Sequence, residues 1–202
     1  MPKVVPEYKE EAKKKIVAAG REVMSRKGYY GTTMDDIAEH VGVSKATLYL
    51  YFGSKDELVI EIVKAFPEKI REIMCSMFPA ATPLEAWVAV LDFYLEYTAE
   101  ENALFFEFLS MIPRNPAIAK SFSDNIALGF QKATLGITAQ QREGRICQGA
   151  DPRTIALAFM SIFHGLRALS LMGVERDELR ERWIEIGKIL LENKGNSPCG
   201  KE

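Results

Sequence analysis

Cysteine and histidine are scarce in this chain of 202 residues, which contains three cysteines and two histidines. Cys75, Cys147 and Cys199 are widely separated and odd in number, a pattern that gives neither a disulfide framework nor a zinc site. His40 and His164 fall in different predicted domains, which argues against a shared metal ion. The sequence therefore predicts a protein of the reducing cytoplasm, without a bound metal or another cofactor.

Motifs of enzymes and of exported proteins are also missing. Residues 1–22 carry too many charges for the apolar core of a secretory signal. The chain contains no phosphate-binding glycine loop and no nucleophile elbow. Carboxylates are numerous, but they lie on the polar faces of predicted helices, where they are ordinary solvated charge. We therefore expect a protein that is not an enzyme.

Long apolar runs are limited to residues 155–172, a segment that approaches the length needed to cross a bilayer. His164 and Arg167 interrupt this segment, and the chain has no second one of its kind. We expect a helix buried between its own domain and a partner subunit, and no association with a membrane.

Net charge is low, at −2, because a basic N-terminal region is offset by an acidic remainder. Residues 1–55 contain ten Lys and Arg against seven Asp and Glu, whereas residues 56–202 contain sixteen against twenty-one. Phosphate neutralisation dominates non-specific affinity for DNA. A contact with nucleic acid is therefore expected in the N-terminal region.

Residues 33–58, TMDDIAEHVGVSKATLYLYFGSKDEL, have the pattern of two short helices joined at a tight corner. Thr33 and Asp36 form a weak capping box at the start of the first helix. Gly42 adopts a positive φ at the corner without steric cost. Ser44 is a suitable N-cap for the second helix, so each predicted boundary has its own local chemical reason.

The flanking segments complete a three-helix unit. The second helix is predicted over residues 45–52, and residues 54–57 form a full capping box for a further helix. Upstream, residues 10–27 have amphipathic helical spacing, and Gly28 is expected to end that helix. Together these elements predict a helix-turn-helix, whose second helix enters the major groove of DNA.

The run GYYGTTMDDIAEHVGVSKATLYLYFGSKDEL resembles the DNA-binding domain of the TetR family of bacterial and archaeal transcriptional regulators. The resemblance covers roughly residues 9–60, where about fifteen positions agree in order without a gap. It implies a second, helical domain that dimerises and usually binds a small molecule.

DNA contacts are expected from the second helix and from the helix starts beside it. In the family, positions matching residues 45–47 commonly read bases, and those matching Thr33, Tyr49 and Lys55 commonly touch the backbone. A purely capping role for Thr33 and Ser44, or a place in the core for Tyr51, fits the sequence equally well. The predicted DNA-binding residues are Thr33, Ser44, Lys45, Ala46, Thr47, Tyr49, Tyr51 and Lys55.

The rest of the chain reads as helices without a convincing strand, so the predicted fold class is all-α. The helices are expected at residues 59–77 with a kink at Pro67, and at 84–100, 102–111, 116–143, 152–172 and 176–193. The predicted domains are a helix-turn-helix domain at 1–55, which loosely includes the connecting helix to about 69, a helical domain at 56–195 and a flexible tail at 196–202.

Dimerisation is expected because a single helix-turn-helix reads few base pairs, whereas a twofold pair reads a palindrome. The family resemblance implies that the last two long helices form a four-helix interface between subunits. The predicted interface residues are Phe159, Leu166, Leu179, Trp183, Ile186 and Leu190.

The helical domain is rich in aromatic residues, as are apolar pockets for small molecules. For any one of these residues an ordinary helical core is the favoured explanation, but for the domain as a whole the resemblance implies an apolar or amphipathic effector. The predicted pocket residues are Trp87, Phe93, Tyr97, Phe105, Phe108, Phe130, Phe163, His164 and Arg167.

The predicted function is a ligand-responsive repressor that binds a palindromic operator as a dimer. Three other interpretations fit parts of the sequence: an activator of the same family, a regulator whose helical domain binds a protein, and a helical module that binds protein but not DNA. Only the last would not require the groove-facing chemistry of Lys45, Thr47 and Lys55.

Overall fold

The computed structural model describes residues 6–65 and 82–192, and all regular secondary structure in these ranges is helical, as the sequence predicts. The predicted kink at Pro67, the C-terminal tail, Cys75 and Cys199 lie outside the described residues. The helices are α1 (Pro6–Gly31), α2 (Met34–Val41), α3 (Lys45–Tyr49), α4 (described over 55–65), α5 (Pro83–Leu95), α6 (Ala99–Met111), α7 (Pro116–Arg142), α8 (Pro152–Leu171) and α9 (Arg176–Leu191), with a short 3-10 helix at Ile112–Arg114.

The corner between α2 and α3 forms through the predicted local chemistry. The Thr33 hydroxyl accepts a hydrogen bond from the Asp36 N–H, and the Asp36 carboxylate accepts one from the Thr33 N–H. Gly42 has a φ of 79°, in the left-handed region that favours glycine. The Ser44 hydroxyl accepts a hydrogen bond from the Thr47 N–H and so begins α3. The helix-turn-helix is therefore encoded within a few residues on each side of its corner.

The first helix breaks at Gly28, as predicted, where φ is 72°, and a short helical segment then continues to Gly31. Two other predicted boundaries are wrong. α3 ends at Tyr49, because the chain continues as a turn in which the Tyr51 N–H bonds to the Leu48 carbonyl. The predicted helix 84–100 is divided, since Thr98 forms a capping box with Glu101 and starts α6 at Ala99. That box competes with continuation of α5.

The first compact unit contains the described residues up to 65 together with Thr98–Asn125. Within it, α1 packs against α2 and α6, and α2 packs against α3. This grouping differs from the predicted division at residue 55, because apolar side chains of α6 and α7 share a core with the helix-turn-helix. Buried members of that core include Ile16, Met24, Ile37, Leu48, Phe52, Leu58, Leu104, Phe108 and Ile118.

The second compact unit contains the described residues 82–97 and 126–192. Within it, α9 packs against α5 and α8. Of the described helices, α8 alone is long and apolar enough to cross a membrane by length and composition, and most of its residues are not buried within the protomer.

Candidate nucleic-acid interface

The short helix α3 is anchored by one side and exposed on the other. Leu48 is 0% exposed and is the buried residue of this helix. Lys45, Ala46 and Tyr49 are exposed, and Thr47 is half-buried. Because Leu48 is buried and fixes the rotation of the helix, these polar and small side chains form the outward surface of α3.

Lys45 lies on this surface in an ion pair with α2. Its Nζ is 2.8 Å from Asp35 Oδ2, and the hydrogen bond with Asp35 raises the pKa of the Lys45 ammonium. Both side chains are more than half exposed. Exposed pairs contribute little to stability, so this ion pair holds the Lys45 ammonium only weakly.

Thr33 and Ser44 both act as helix caps. The Thr33 hydroxyl also donates to Asp36 Oδ2 at 2.7 Å, and Lys27 Nζ donates to Asp36 Oδ1 at 2.6 Å. The Lys27 and Thr33 hydrogen bonds hold the pKa of the Asp36 carboxyl well below its usual range. The Ser44 hydroxyl lies 2.8 Å from the Thr47 hydroxyl, so these two oxygens form one polar group at the start of α3.

Two predicted contacts are directed into the protein. Tyr51 is half-buried and packs against the core of the first unit. Lys55 is also half-buried, and its Nζ donates to the carbonyls of Tyr29 and Thr32 at 2.6 Å each. In this structure the Lys55 ammonium has partners inside the protomer, and its contact with a DNA phosphate stays a prediction.

Leu50 lies outside the predicted set, yet it is 79% exposed at the C-terminal end of α3. It follows Ala46 by four residues and therefore lies on the same face of the helix turn. The sequence signal that could have placed Leu50 on this face was its i, i+4 spacing from Ala46.

The predicted pocket residues are divided between the two compact units. Phe105 and Phe108 belong to the first unit, where Phe108 is buried in the core. The others belong to the second unit. There Phe163 is buried and packs edge-on against Tyr94, with ring centroids 4.5 Å apart, while Arg153 lies over Phe130. Phe108 and Phe163 are therefore packed as core residues, and their part in a pocket stays a prediction.

Trp87 and Trp183 form the centre of the second unit. Their rings stack with centroids 4.3 Å apart. Each indole N–H donates to the other residue's backbone carbonyl, at 2.9 Å from Trp87 and 2.8 Å from Trp183. Both side chains are buried, so Trp87 lies in the core of the second unit, and its role in lining a pocket stays a prediction.

Some predicted interface residues are likewise internal. Leu166, Leu179 and Trp183 are buried within the protomer, and a side chain without exposed surface offers none to a partner. Phe159, which is half-buried, packs edge-on against Trp87. Ile186 and Leu190 remain half-buried. The exposed apolar residues of α8 and α9 and the turn between them are instead Leu157, Leu169, Leu171, Met172 and Ile189.

His164 and Arg167 lie one helical turn apart on α8, among aromatic rings. The Arg167 guanidinium lies 3.9 Å from the centroid of the Tyr94 ring. Arg167 is only 3% exposed. Burial lowers the pKa of Arg167 to about 10. Burial, and then the nearby Arg167 charge, lower the pKa of His164 to about 4. At neutral pH this pair therefore offers one positive charge and a neutral imidazole.

Stability at acidic pH should depend on His164. Between about pH 6.5 and 4 the imidazole is protonated in the unfolded chain but not in the folded one, so the free energy of unfolding falls as pH falls. The full contribution is present above about pH 6.5, and we expect a loss on the order of 2 kcal/mol across the window. Urea unfolding over this pH range measures it.

The control for this measurement is His164→Gln, which removes the titrating group. The variant should show a weaker pH dependence between about 6.5 and 4. Identical pH profiles for both proteins would show that His164 does not carry the effect.

A metal centre has no support among the residues that the structure describes, since they contain no cluster of three or more His, Cys, Asp or Glu able to hold an ion.

A family model described as "Bacterial regulatory proteins, tetR family" matches residues 16–62. This range includes α2, α3 and the capped start of α4, which are the elements of the candidate interface. The match therefore falls on the part of the chain that contains the helix-turn-helix.

Several curated proteins are similar to this chain. The uncharacterized HTH-type transcriptional regulator YfiR of Bacillus subtilis is 33% identical over 98 residues, which are 48% of this chain and 46% of that protein. The HTH-type transcriptional regulator BetI of Rhizobium meliloti is 29% identical over 149 residues, 68% and 71% of the two chains. The negative transcriptional regulator IcaR of the Staphylococcus aureus biofilm operon is 40% identical over 62 residues, 31% and 33%. The matched part of the chain thus spans less than half the length of YfiR and of IcaR, but 71% of the length of BetI.

Solved structures share the fold at low sequence identity. A Rhodococcus sp. protein described as a TetR-family regulator has a TM-score of 0.79 at 17% identity, covering 91% of this chain and all of that one. A transcriptional regulator from Saccharomonospora viridis, solved with choline, has a TM-score of 0.75 at 21% identity, covering 91% and 99%. The similarity extends over both compact units, whereas the family model is confined to the first.

Proposed function

This chain belongs to the TetR family of transcriptional regulators, and from that premise we propose that it is a ligand-responsive repressor that binds a palindromic operator as a homodimer. The observation that carries the proposal is the exposed face of α3, with Lys45, Ala46 and Tyr49 presented while Leu48 is fully buried. A chromosome-bound regulator of this kind acts in the cytoplasm.

Duplex DNA binding tests the proposal directly. An operator is recovered by in vitro selection from random duplexes with the full-length protein, and its affinity is measured over a salt series. Affinity should fall steeply with salt, since each neutralised phosphate contributes about 0.9 to the slope of log affinity against log salt. Failure to retain any duplex would favour a helical module that binds protein instead.

Base recognition is expected from Thr47. Its hydroxyl and methyl are suited to a base edge and to a thymine methyl, and Thr47→Ala should weaken binding to the matched operator by about 1 to 3 kcal/mol. Fluorescence anisotropy with matched and singly altered operators measures this loss. The control is Ser44→Ala, which removes the cap of α3 and should lower stability by about 1 kcal/mol.

If Thr47 reads a base, its loss also relaxes discrimination at one operator position. An equal loss on every duplex tested would contradict base recognition by Thr47 and would assign it to phosphate or to the fold of α3.

The homodimer is supported by apolar surface that the protomer leaves exposed. Leu157 and Leu169 lie on α8 at a spacing of twelve residues, with Ser161 and Gly165 exposed between them. Small central residues allow two helices to approach closely, as in a helical bundle. Light scattering at micromolar concentration should give the mass of a dimer, and a monomer mass would contradict the proposal.

A small apolar or amphipathic effector is the proposed ligand of the second unit. Its described aromatic side chains pack edge-on and stacked around Trp87, Phe159 and Phe163, and His164 and Arg167 add polar groups beside them. The Saccharomonospora viridis protein of the same fold was solved with a small molecule, choline. A crystal structure of the purified protein, inspected for bound density in the second unit, tests this assignment.

Repression and its release require two states of the dimer. We expect the dimer to block the polymerase when its two recognition helices match the operator. Effector binding would tilt the helix that begins at Lys55 and change the separation of the two α3 helices. Such coupling requires that the effector bind the two states with different affinity.

A further inference from the structure

The line of α3 that lies farthest from the core is apolar. Successive residues of a helix are rotated by roughly 100° about its axis, and Leu48, which is 0% exposed, marks the side that faces the core. Ala46 and Leu50 therefore lie at roughly 160° and 200° from Leu48, on either side of the direction opposite to it. Leu50 belongs to this pattern because its backbone is helical, with a φ of −71° and a ψ of −21°.

Leu50 is more exposed than a leucine of the core could be. Its exposed fraction of 79% is the highest among the large apolar side chains that the structure describes. Ala46 is also exposed, so both side chains face away from the first unit. A single apolar residue on a protein surface needs no explanation, but these two lie together on the helix that the proposed function places in the major groove.

Polar groups lie on both sides of this apolar line. Lys45 and Tyr49 lie on one side of it and Thr47 on the other. The Lys45 side chain is 59% exposed, and Tyr49 is 44% exposed. In DNA, phosphates border the groove and base edges form its floor. The polar groups therefore match the sides of the groove, and the apolar line matches its floor, where thymine presents a methyl group.

We infer that Leu50 is a specificity-determining residue that reads thymine: its side chain contacts the 5-methyl group of one thymine in each half-site of the operator, beside Ala46. The inference rests on the proposed DNA-binding function and adds the type of base that one residue recognises.

Burial of apolar surface gives the physical reason. The leucine side chain has no hydrogen-bonding group, so it forms no hydrogen bond with a phosphate or with a polar base edge. Against the thymine methyl, Leu50 removes apolar surface from water, which is favourable. Against another base it would cover an amino group or a ring acceptor, which would lose its bond with water without gaining a new partner. Leu50 therefore favours thymine over the other bases.

The test compares the wild type with Leu50→Ala, both at full length. Each thymidine of the selected operator is replaced in turn by deoxyuridine, at the same position of both half-sites, which removes the 5-methyl group and keeps the hydrogen bonds of the base pair. Fluorescence anisotropy gives the affinity of each protein for every duplex and for an unrelated duplex, over a salt series. Circular dichroism confirms that each protein is folded.

One thymine should distinguish the two proteins. Its replacement should weaken binding by the wild type about fourfold for each half-site, which corresponds to the burial of one methyl group. Leu50→Ala should bind the unmodified operator more weakly by at least that factor and should not respond to deoxyuridine at this position. At the other thymines both proteins should respond alike. The salt slope should be the same for both, because the substitution removes no charge.

The inference is overturned if every deoxyuridine replacement affects the two proteins equally, or if the half-sites of the selected operator contain no thymine. It is also overturned if Leu50→Ala loses the same affinity for the operator and for the unrelated duplex, because a contact with the sugar–phosphate backbone then explains the loss.

Leu50→Met provides a matched variant, since methionine is apolar and similar in volume to leucine. It should keep most of the response to deoxyuridine at the same thymine, and loss of that response would count against an apolar contact. A wild-type protein that retains no duplex would refute the proposed function itself. That result is distinct from a protein that binds its operator but does not respond to the thymine methyl.

Discussion

Replacing Trp183 by alanine should lower the free energy of unfolding by about 3 to 5 kcal/mol, the usual cost of removing a buried tryptophan. The side chain is 0% exposed, stacks on Trp87 and donates to its carbonyl. The variant therefore loses packing and leaves that buried carbonyl without its donor. Urea unfolding followed by circular dichroism, at one fixed protomer concentration, measures the loss.

Ile189 provides the matched control, because it lies on the same helix and is 69% exposed. Ile189→Ala should leave the packing of the protomer intact and act, if at all, on dimer dissociation measured by light scattering. If Trp183→Ala weakens the dimer but not the fold, the tryptophan belongs to the subunit interface, as the sequence suggested, and its place in the core is refuted.

Leu48→Ala should cost about 2 to 5 kcal/mol in the free energy of unfolding and should abolish operator binding at ordinary protein concentrations. Leu48 is 0% exposed and is the buried residue of a five-residue helix. A helix so short has little stability of its own, and tertiary packing holds it in place. Chemical unfolding and anisotropy with the selected operator measure the two effects.

Leu50→Ala is the same substitution two residues away, at a position that is 79% exposed. Its effect on the free energy of unfolding should be within about 0.5 kcal/mol, as at other surface positions. A similar loss of stability for the two variants would show that Leu48 does not anchor α3. If Leu48→Ala lowers stability without any loss of operator binding, then anchoring of α3 by Leu48 is not required for binding DNA.

Local side-chain chemistry makes the helix-turn-helix readable from the sequence. The capping box of Thr33 with Asp36, the turn at Gly42 and the cap at Ser44 each depend on groups only a few residues apart. Interactions of such short range depend on residue type and spacing, so they are present in the sequence pattern itself. The capping box of Thr98 with Glu101 is also of short range, so its signal was present in the sequence. It was missed because it lies within a run that was predicted as one helix.

Long-range contacts account for the corrections. The amphipathic pattern of α9 shows that Trp183 faces an apolar partner, but whether that partner is Trp87, 96 residues away in the same chain, or a second subunit is not a property of the pattern. Likewise, the apolar face of α6 does not show from the sequence which compact unit the helix joins. Its packing against α1 places it in the first unit.

The sequence by itself determined the helical class and the helix-turn-helix corner, because these follow from hydrophobic period and from caps within one turn of chain. The family was indicated by the resemblance of the motif in residues 9–60. Only the tertiary structure decided the direction of the Lys55 ammonium, since its acceptors at Tyr29 and Thr32 lie 26 and 23 residues away. A lysine at a helix start has the same local chemistry whether or not two such carbonyls face it, and the packing of distant segments decides whether they do.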